Sequence, residues 1–134
     1  MLNGHPNILK CYGTFVRHDC TGRLTHNLFL EHAASDLSDY WENTTQPSGS
    51  GSILWAWKQI VGISHALQSI HQPKVNPLPG REIMGRHGDL KPDNILYFDG
   101  KFKVADLGFS HFKMVARGKT AKYHLDGQTY TYSE

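Results

Sequence analysis

With only two cysteines, Cys11 and Cys20, the 134-residue chain cannot build a disulfide framework. It has no apolar run near the ~20 residues needed to span a bilayer, and no recognisable secretory leader. Fourteen Lys and Arg against twelve Asp and Glu leave a net charge of +2, so there is no basic footprint for nucleic acid. No internal repeat is visible, which sets aside solenoids and arrays. Nine histidines invite a zinc site, but Cys11, His18, Cys20 and His26 fit no established ligand spacing. These absences predict an intracellular, cytoplasmic protein with neither a nucleic-acid nor a membrane partner. They leave the oligomeric state open. The length suffices for one domain with its own core.

What is present is concentrated in one stretch. His87-Gly88-Asp89-Leu90-Lys91-Pro92-Asp93-Asn94 is followed, twelve residues after Asn94, by Asp106-Leu107-Gly108. Between them, Ile95 to Phe98 and Lys101 to Val104 are two β-prone runs separated by Asp99-Gly100, a strong signal for a tight hairpin. If Asp99 and Gly100 form the turn, paired positions sum to 199, and Asn94 stands opposite Ala105. Asp106 then lies one step beyond, so a carboxamide and a carboxylate meet at the hairpin's open end. Hard oxygen donors from one or two side chains, completed by phosphate oxygens and water, are how proteins hold magnesium. Asp89 and Lys91 enter the same end from the preceding loop. There a carboxylate can accept a proton from a hydroxyl, and an ammonium can neutralise charge on a moving phosphoryl group.

Elsewhere the sequence predicts two strands over 8–17 and 27–32, joined by a polar turn at 19–23. A short helix over 36–41 would be capped by Ser35 or Asp36. A flexible connector over 46–52 leads to the longest helix, with Ser52 as its cap. Ile53, Trp57, Ile60, Val61, Ser64, Leu67 and His71 recur at helical spacing and predict one buried stripe. Gly62 on that helix would permit close packing against a neighbour. Residues 73–80 read as irregular, and 109–134 as a mobile segment without period.

The pattern H-x-D-L-K-P-x-N followed by D-L-G resembles the catalytic loop and metal-binding motif of eukaryotic protein kinases. His5-Pro6-Asn7-Ile8 is similar to the turn entering the fourth small-lobe strand of that family. Leu28 to Ala33 resembles the strand running into its hinge, and Ile53 to His71 the long helix ahead of its catalytic loop. The Gly-Arg-His-Gly-Asp wording also looks like a kinase group of filamentous fungi. The resemblance implies an α+β, protein kinase-like fold in part. Residues 1–32 would end the small lobe and hinge strand, and 33–134 would start the helical large lobe and run through the activation segment. It implies ATP and Mg2+ as cofactors and a protein Ser/Thr hydroxyl as substrate. Asp89 would accept the hydroxyl proton, Lys91 would contact the γ-phosphate, and Asn94 and Asp106 would hold the metal. Leu30 would be the gatekeeper, Glu31 and Ala33 would offer backbone groups to adenine, and Leu96 would floor its pocket. His87 would be structural, packing against Leu107, and Cys11 a buried, inert thiol.

Four departures stand against the family pattern. Gly88 replaces the usual arginine, which commonly pairs with a phosphorylated activation segment. Leu107 replaces the usual Phe. Thr120, Tyr123, Thr129, Tyr130 and Thr131 supply hydroxyls, yet no Pro-Glu pair accompanies Glu134. No glycine-rich loop or phosphate-binding lysine precedes the hinge strand, so the chain alone is expected to transfer little phosphate. Two rival readings follow. His-Gly-Asp-Leu-x-x-x-Asn also resembles small-molecule phosphotransferases of the aminoglycoside and choline kinase type. A non-catalytic, pseudokinase-like binding module is the other.

Overall fold

The computed structural model describes residue 2, residues 4–44, 48–75 and 78–118, and the backbone alone of Lys122–Leu125 and Gln128–Thr131. Cys11–His18 (β1) and Leu24–Leu30 (β2) pair antiparallel, with Cys11 opposite Leu30 and His18 opposite Leu24. Both strands sit a few residues away from their expected bounds. The turn between them is polar, as expected, because Asp19 Oδ1 accepts from Thr21 N, Thr21 Oγ1 and Arg23 N at 2.8, 2.6 and 2.9 Å. An Asx-type side chain thereby supplies the backbone partners that the turn lacks.

Ser35–Asp36 (β3) leads into the helix Leu37–Asn43 (α1), which Asp36 caps by accepting from Asp39 N at 2.9 Å. The long helix runs over Ser50–His71 (α2) and is capped at Gly49, not Ser52. The glycine takes φ 112, a conformation open to it without steric cost, and the helix begins three residues early. The last part of the expected connector is therefore helical, while residues 46 and 47 lie outside the described residues.

Most of the stripe predicted to be buried on α2 faces outward, although Leu67 packs against the core and His71 is half-buried. Ile53 is 73% exposed, Trp57 62% and Ile60 53%, whereas Gln59, Ala66 and Ile70 are buried. The buried face runs through Trp55, Gln59, Gly62, Ile63, Ala66 and Ile70, also at helical spacing. It wins because polar Gln59 and Trp55 have specific partners on the next hairpin. Gln59 Oε1 accepts from Phe102 N at 2.9 Å, and both Gln59 Nε2 and Trp55 Nε1 donate to Gly100 O.

Ile95–Phe98 (β5) and Lys101–Val104 (β6) form the predicted hairpin in the predicted register, from Ile95 opposite Val104 to Phe98 opposite Lys101. Its turn places Gly100 at φ 80. β3 adds on the other side of β5, giving the order β3-β5-β6. The outer edge of β6 is closed by residues 7–9. Val104 N donates to Asn7 O and Leu9 N to Val104 O, both at 2.8 Å, and Asn7 Nδ2 donates to Phe102 O at 2.8 Å. No backbone group of that buried strand then needs water. Gly62 is what lets α2 approach, since a Cβ there would stand 2.6 Å from Asn7 Nδ2.

Two apolar clusters flank this sheet. Ile8, Ala66, Ile70 and Val104 form one, and Leu37, Ile95 and Phe102 the other, extended by Tyr40, Trp55 and Tyr97. The ring of Tyr40 meets Phe102 edge-on at 5.2 Å, a favourable aromatic geometry. Arg81–Arg86 (β4) pairs antiparallel with His111–Ala116 (β7). The segment predicted to lack structure from 109 onward therefore begins with a strand. Lys113 breaks its apolar pattern, so only pairing with β4 reveals it. Thr120 and Glu134 lie outside the described residues, as do the side chains of Tyr123, Thr129, Tyr130 and Thr131. Among the described residues, no helix is long and apolar enough to cross a membrane.

Candidate functional site

The site is assembled where β4, β5 and β6 end. After Arg86 the chain passes through buried His87 to Gly88, at φ 88. A Cβ on Gly88 would lie 2.3 Å from the carbonyl oxygen of Phe109. That carbonyl is backbone and cannot move aside, so glycine is required for the loop to lie against 107–110. Ser110 Oγ closes the same contact, donating to His87 O at 3.0 Å. The absence of an arginine at this position thus has a packing cause in this fold.

His87 is hydrogen-bonded to the hairpin. Its Nε2 lies 2.8 Å from Ala105 O, and its Nδ1 is 3.3 Å from Asp89 N. The Ala105 contact is with the backbone just before Asp106, and Leu107 packs against the cluster of Ile8, Ala66, Ile70 and Val104. Opposite, Ala105 N donates to Asn94 O at 2.9 Å, placing Asn94 across from Ala105 as the register requires.

Asn94 links the two halves of the site. Its Nδ2 donates to Asp89 O at 2.8 Å and to Asp89 Oδ2 at 3.0 Å, so its Oδ1 is turned away from Asp89. Lys91 Nζ stands 3.0 Å from Asp89 Oδ2, with the lysine side chain 47% exposed. The Lys91 ammonium, assisted by the Asn94 carboxamide and opposed by partial desolvation, holds the Asp89 carboxyl below the ordinary aspartate range. The same pairing raises Lys91, with Asp93 and Asp106 adding to the effect. Asp89 is thus charged, and Lys91 protonated, at neutral pH.

Asp106 takes φ 54, the only positive φ outside glycine among the described residues. Asp tolerates this left-handed conformation better than most residues because its short side chain bonds locally. Here Oδ1 accepts from Gly108 N at 3.0 Å. Strained backbone of this kind concentrates at functional positions.

A cavity of about 620 Å³ lies beside these groups. Leu30 and Leu96 line it together with Asn94 and Asp106, and Ile8, Cys11, Leu28 and Val104 complete much of its wall. Most of its surface is apolar, and Asp93, Asn94 and Asp106 are the side chains that bring oxygen atoms to its lining. Glu31 and Ala33 stand outside that lining, and so do Asp89 and Lys91, although Asp89 is bonded to Asn94. Cys11 is half-buried at the cavity wall, not fully buried as the resemblance implied. The donor set of Asn94 and Asp106 is hard oxygen and fits magnesium, with phosphate and water needed to complete it. Among the described residues no three His, Cys, Asp or Glu gather as a self-sufficient metal site.

Lys103 was not marked by the sequence. It is 8% exposed and binds both carboxylate oxygens of Glu31, at 2.6 and 2.7 Å. The alternation of β6 puts Lys103 on the face opposite Phe102 and Val104, the face of exposed Lys101, and so gives no sign of a buried partner.

The chain is similar to two curated serine/threonine kinases. It is 29% identical over 110 residues to serine/threonine-protein kinase mph1 of Schizosaccharomyces pombe, covering 81% of this chain and 14% of that protein. It is 30% identical over 133 aligned positions to a protein of Acanthamoeba polyphaga mimivirus named as a candidate serine/threonine-protein kinase, L268, covering 90% of this chain and 21% of that protein. The chain therefore spans about a fifth or less of these relatives. No protein-family model matches it. The relationship is kinase-like, and the mixed α and β architecture is compatible with part of such a fold.

Proposed function

We propose that this chain carries the nucleotide cavity and catalytic loop of a serine/threonine protein kinase, whose reaction moves the γ-phosphoryl group of ATP to a protein hydroxyl. The observation that carries the reading is the convergence of Leu30, Leu96, Asn94 and Asp106 on one cavity, with Asp89 bonded to Asn94. The apolar wall suits a nucleobase, and the oxygen donors in the same lining suit its metal-bound phosphates. Magnesium-ATP, when bound, supplies the phosphoryl group and the charge that screens it. Asn94 Oδ1 and the Asp106 carboxylate would hold the metal, and backbone groups of Glu31 and Ala33 would meet the adenine edge. Asp89, ionised at neutral pH, orients the substrate hydroxyl and takes its proton as the hydroxyl oxygen bonds to the γ-phosphorus and the bond from that phosphorus to the β,γ-bridging oxygen breaks, releasing ADP. Lys91, on a flexible and half-exposed stem, neutralises the phosphoryl oxygens. The similarity to two serine/threonine kinases supports the same class.

The test is thermal unfolding of the chain titrated with ATP, with and without magnesium. A saturable, magnesium-dependent rise in Tm is expected, and Asp106→Asn should abolish the magnesium dependence. No stabilisation at millimolar nucleotide would remove the reading.

A further inference from the structure

Lys103 lies on β6 three residues before Asp106, and Glu31 follows Leu30 at the end of β2. Besides binding Lys103, Glu31 Oε1 accepts from Lys10 N at 2.7 Å, while Glu31 N donates to Lys10 O at 3.1 Å. The Lys103 ammonium also stands 4.5 Å from the centre of the Phe98 ring. One carboxylate thus ties together the chain ahead of β1, the end of β2 and the strand β6. Each of these contributes to the cavity wall, through Leu9 and Cys11, through Leu30, and through Val104 and Ala105. Neither Glu31 nor Lys103 lines the cavity itself. The side chains of both are largely buried, at 14% and 11% exposure, so separating them would leave two poorly solvated charges. This distinguishes the pair from a surface ion pair, which is free to open.

We propose that Glu31 and Lys103 form a positioning pair that fixes the spacing across the cavity, holding the Leu30 wall at a set distance from the wall leading to Asp106. This rests on the nucleotide-binding reading of the cavity. A flat ligand held between two walls gains its dispersion contacts only at close range, and a gap of about 0.5–1 Å forfeits a quarter to a half of them. Releasing the pair therefore weakens binding without removing any group that touches the ligand.

The experiment is a fluorescence titration of the chain with trinitrophenyl-ATP and magnesium, accompanied by amide hydrogen exchange on the same samples. Glu31→Gln and Lys103→Met are each expected to raise Kd about tenfold, within the range of coupling between contacting residues. The double variant should bind no more weakly than either single one. Lys103→Arg, which keeps the charge, should return to within about threefold of the unsubstituted chain. Single variants that bind like the unsubstituted chain, or losses that multiply in the double variant, would overturn the proposal. Should the unsubstituted chain not bind nucleotide at all, the nucleotide reading falls and exchange decides the clamp alone. Faster exchange at Lys10 and Glu31 in both single variants, recovered in Lys103→Arg, upholds it, and unchanged exchange sinks it.

Discussion

Asp89 has a partner on each side, the ammonium of Lys91 and the carboxamide of Asn94, and the hydrogen bond from the first is the largest influence on its titration. Because its folded pKa is depressed, the pairing stabilises the fold above the ordinary aspartate range and is lost as pH falls through the lowered value. Carboxyl carbon NMR should therefore give Asp89 a midpoint below that of an ordinary exposed aspartate. In Lys91→Met the midpoint should rise, and an unchanged midpoint would remove Lys91 as the cause. Residue type and spacing suggested the chemistry open to Asp89, Lys91, Asn94 and Asp106, and the resemblance to protein kinases suggested their particular roles. What those could not convey was the reason for Gly88, which depends on the carbonyl of Phe109, twenty-one residues further along the chain. Lys103 stayed hidden for a similar cause. Its partner Glu31 is 72 residues away, and no local pattern encodes that distance.

Among the elements, the β5–β6 hairpin was legible to the residue because a two-residue turn fixes register locally. The helix α2 was legible as a helix but not in its rotation. Its sequence offers two stripes at the same period, and the more apolar one, through Ile53, Trp57 and Ile60, is the exposed one. Hydrophobic periodicity assumes that burial follows apolarity. Here the choice was made by Gln59, Trp55 and Gly62, which meet the hairpin and Asn7 through specific hydrogen bonds and close approach. Chemical denaturation can separate the faces. Ile70→Ala should cost roughly 2–5 kcal/mol, as for a buried aliphatic side chain. Trp57→Lys and Ile60→Lys should each stay within about 0.5 kcal/mol. A large loss in either lysine variant would mean that the outward face is buried after all.

Over the whole molecule, order is unevenly distributed. β5 and β6 are enclosed by two apolar clusters, α2 and the strand-like residues 7–9. β1 and β2 form a two-stranded sheet with Tyr12, Phe15, Val16, Leu24, Leu28 and Phe29 all exposed. Two strands alone are marginally stable in water. Amides paired across β1–β2 are expected to exchange at least about tenfold faster than those of Phe102 and Val104, since local opening tracks buried contact. Equal protection of the two hairpins would refute this. The register of β5–β6 also limits how the chain length between Asn94 and Asp106 can drift. One residue gained or lost inside either strand would turn every later side chain to the opposite face of the sheet. Absent a bulge, length can change without that inversion only at the Asp99-Gly100 tip, far from both oxygen donors. The twelve-residue interval is thus a count set by pairing, and only a change at the tip, or a bulge, could alter it while keeping the faces of both strands.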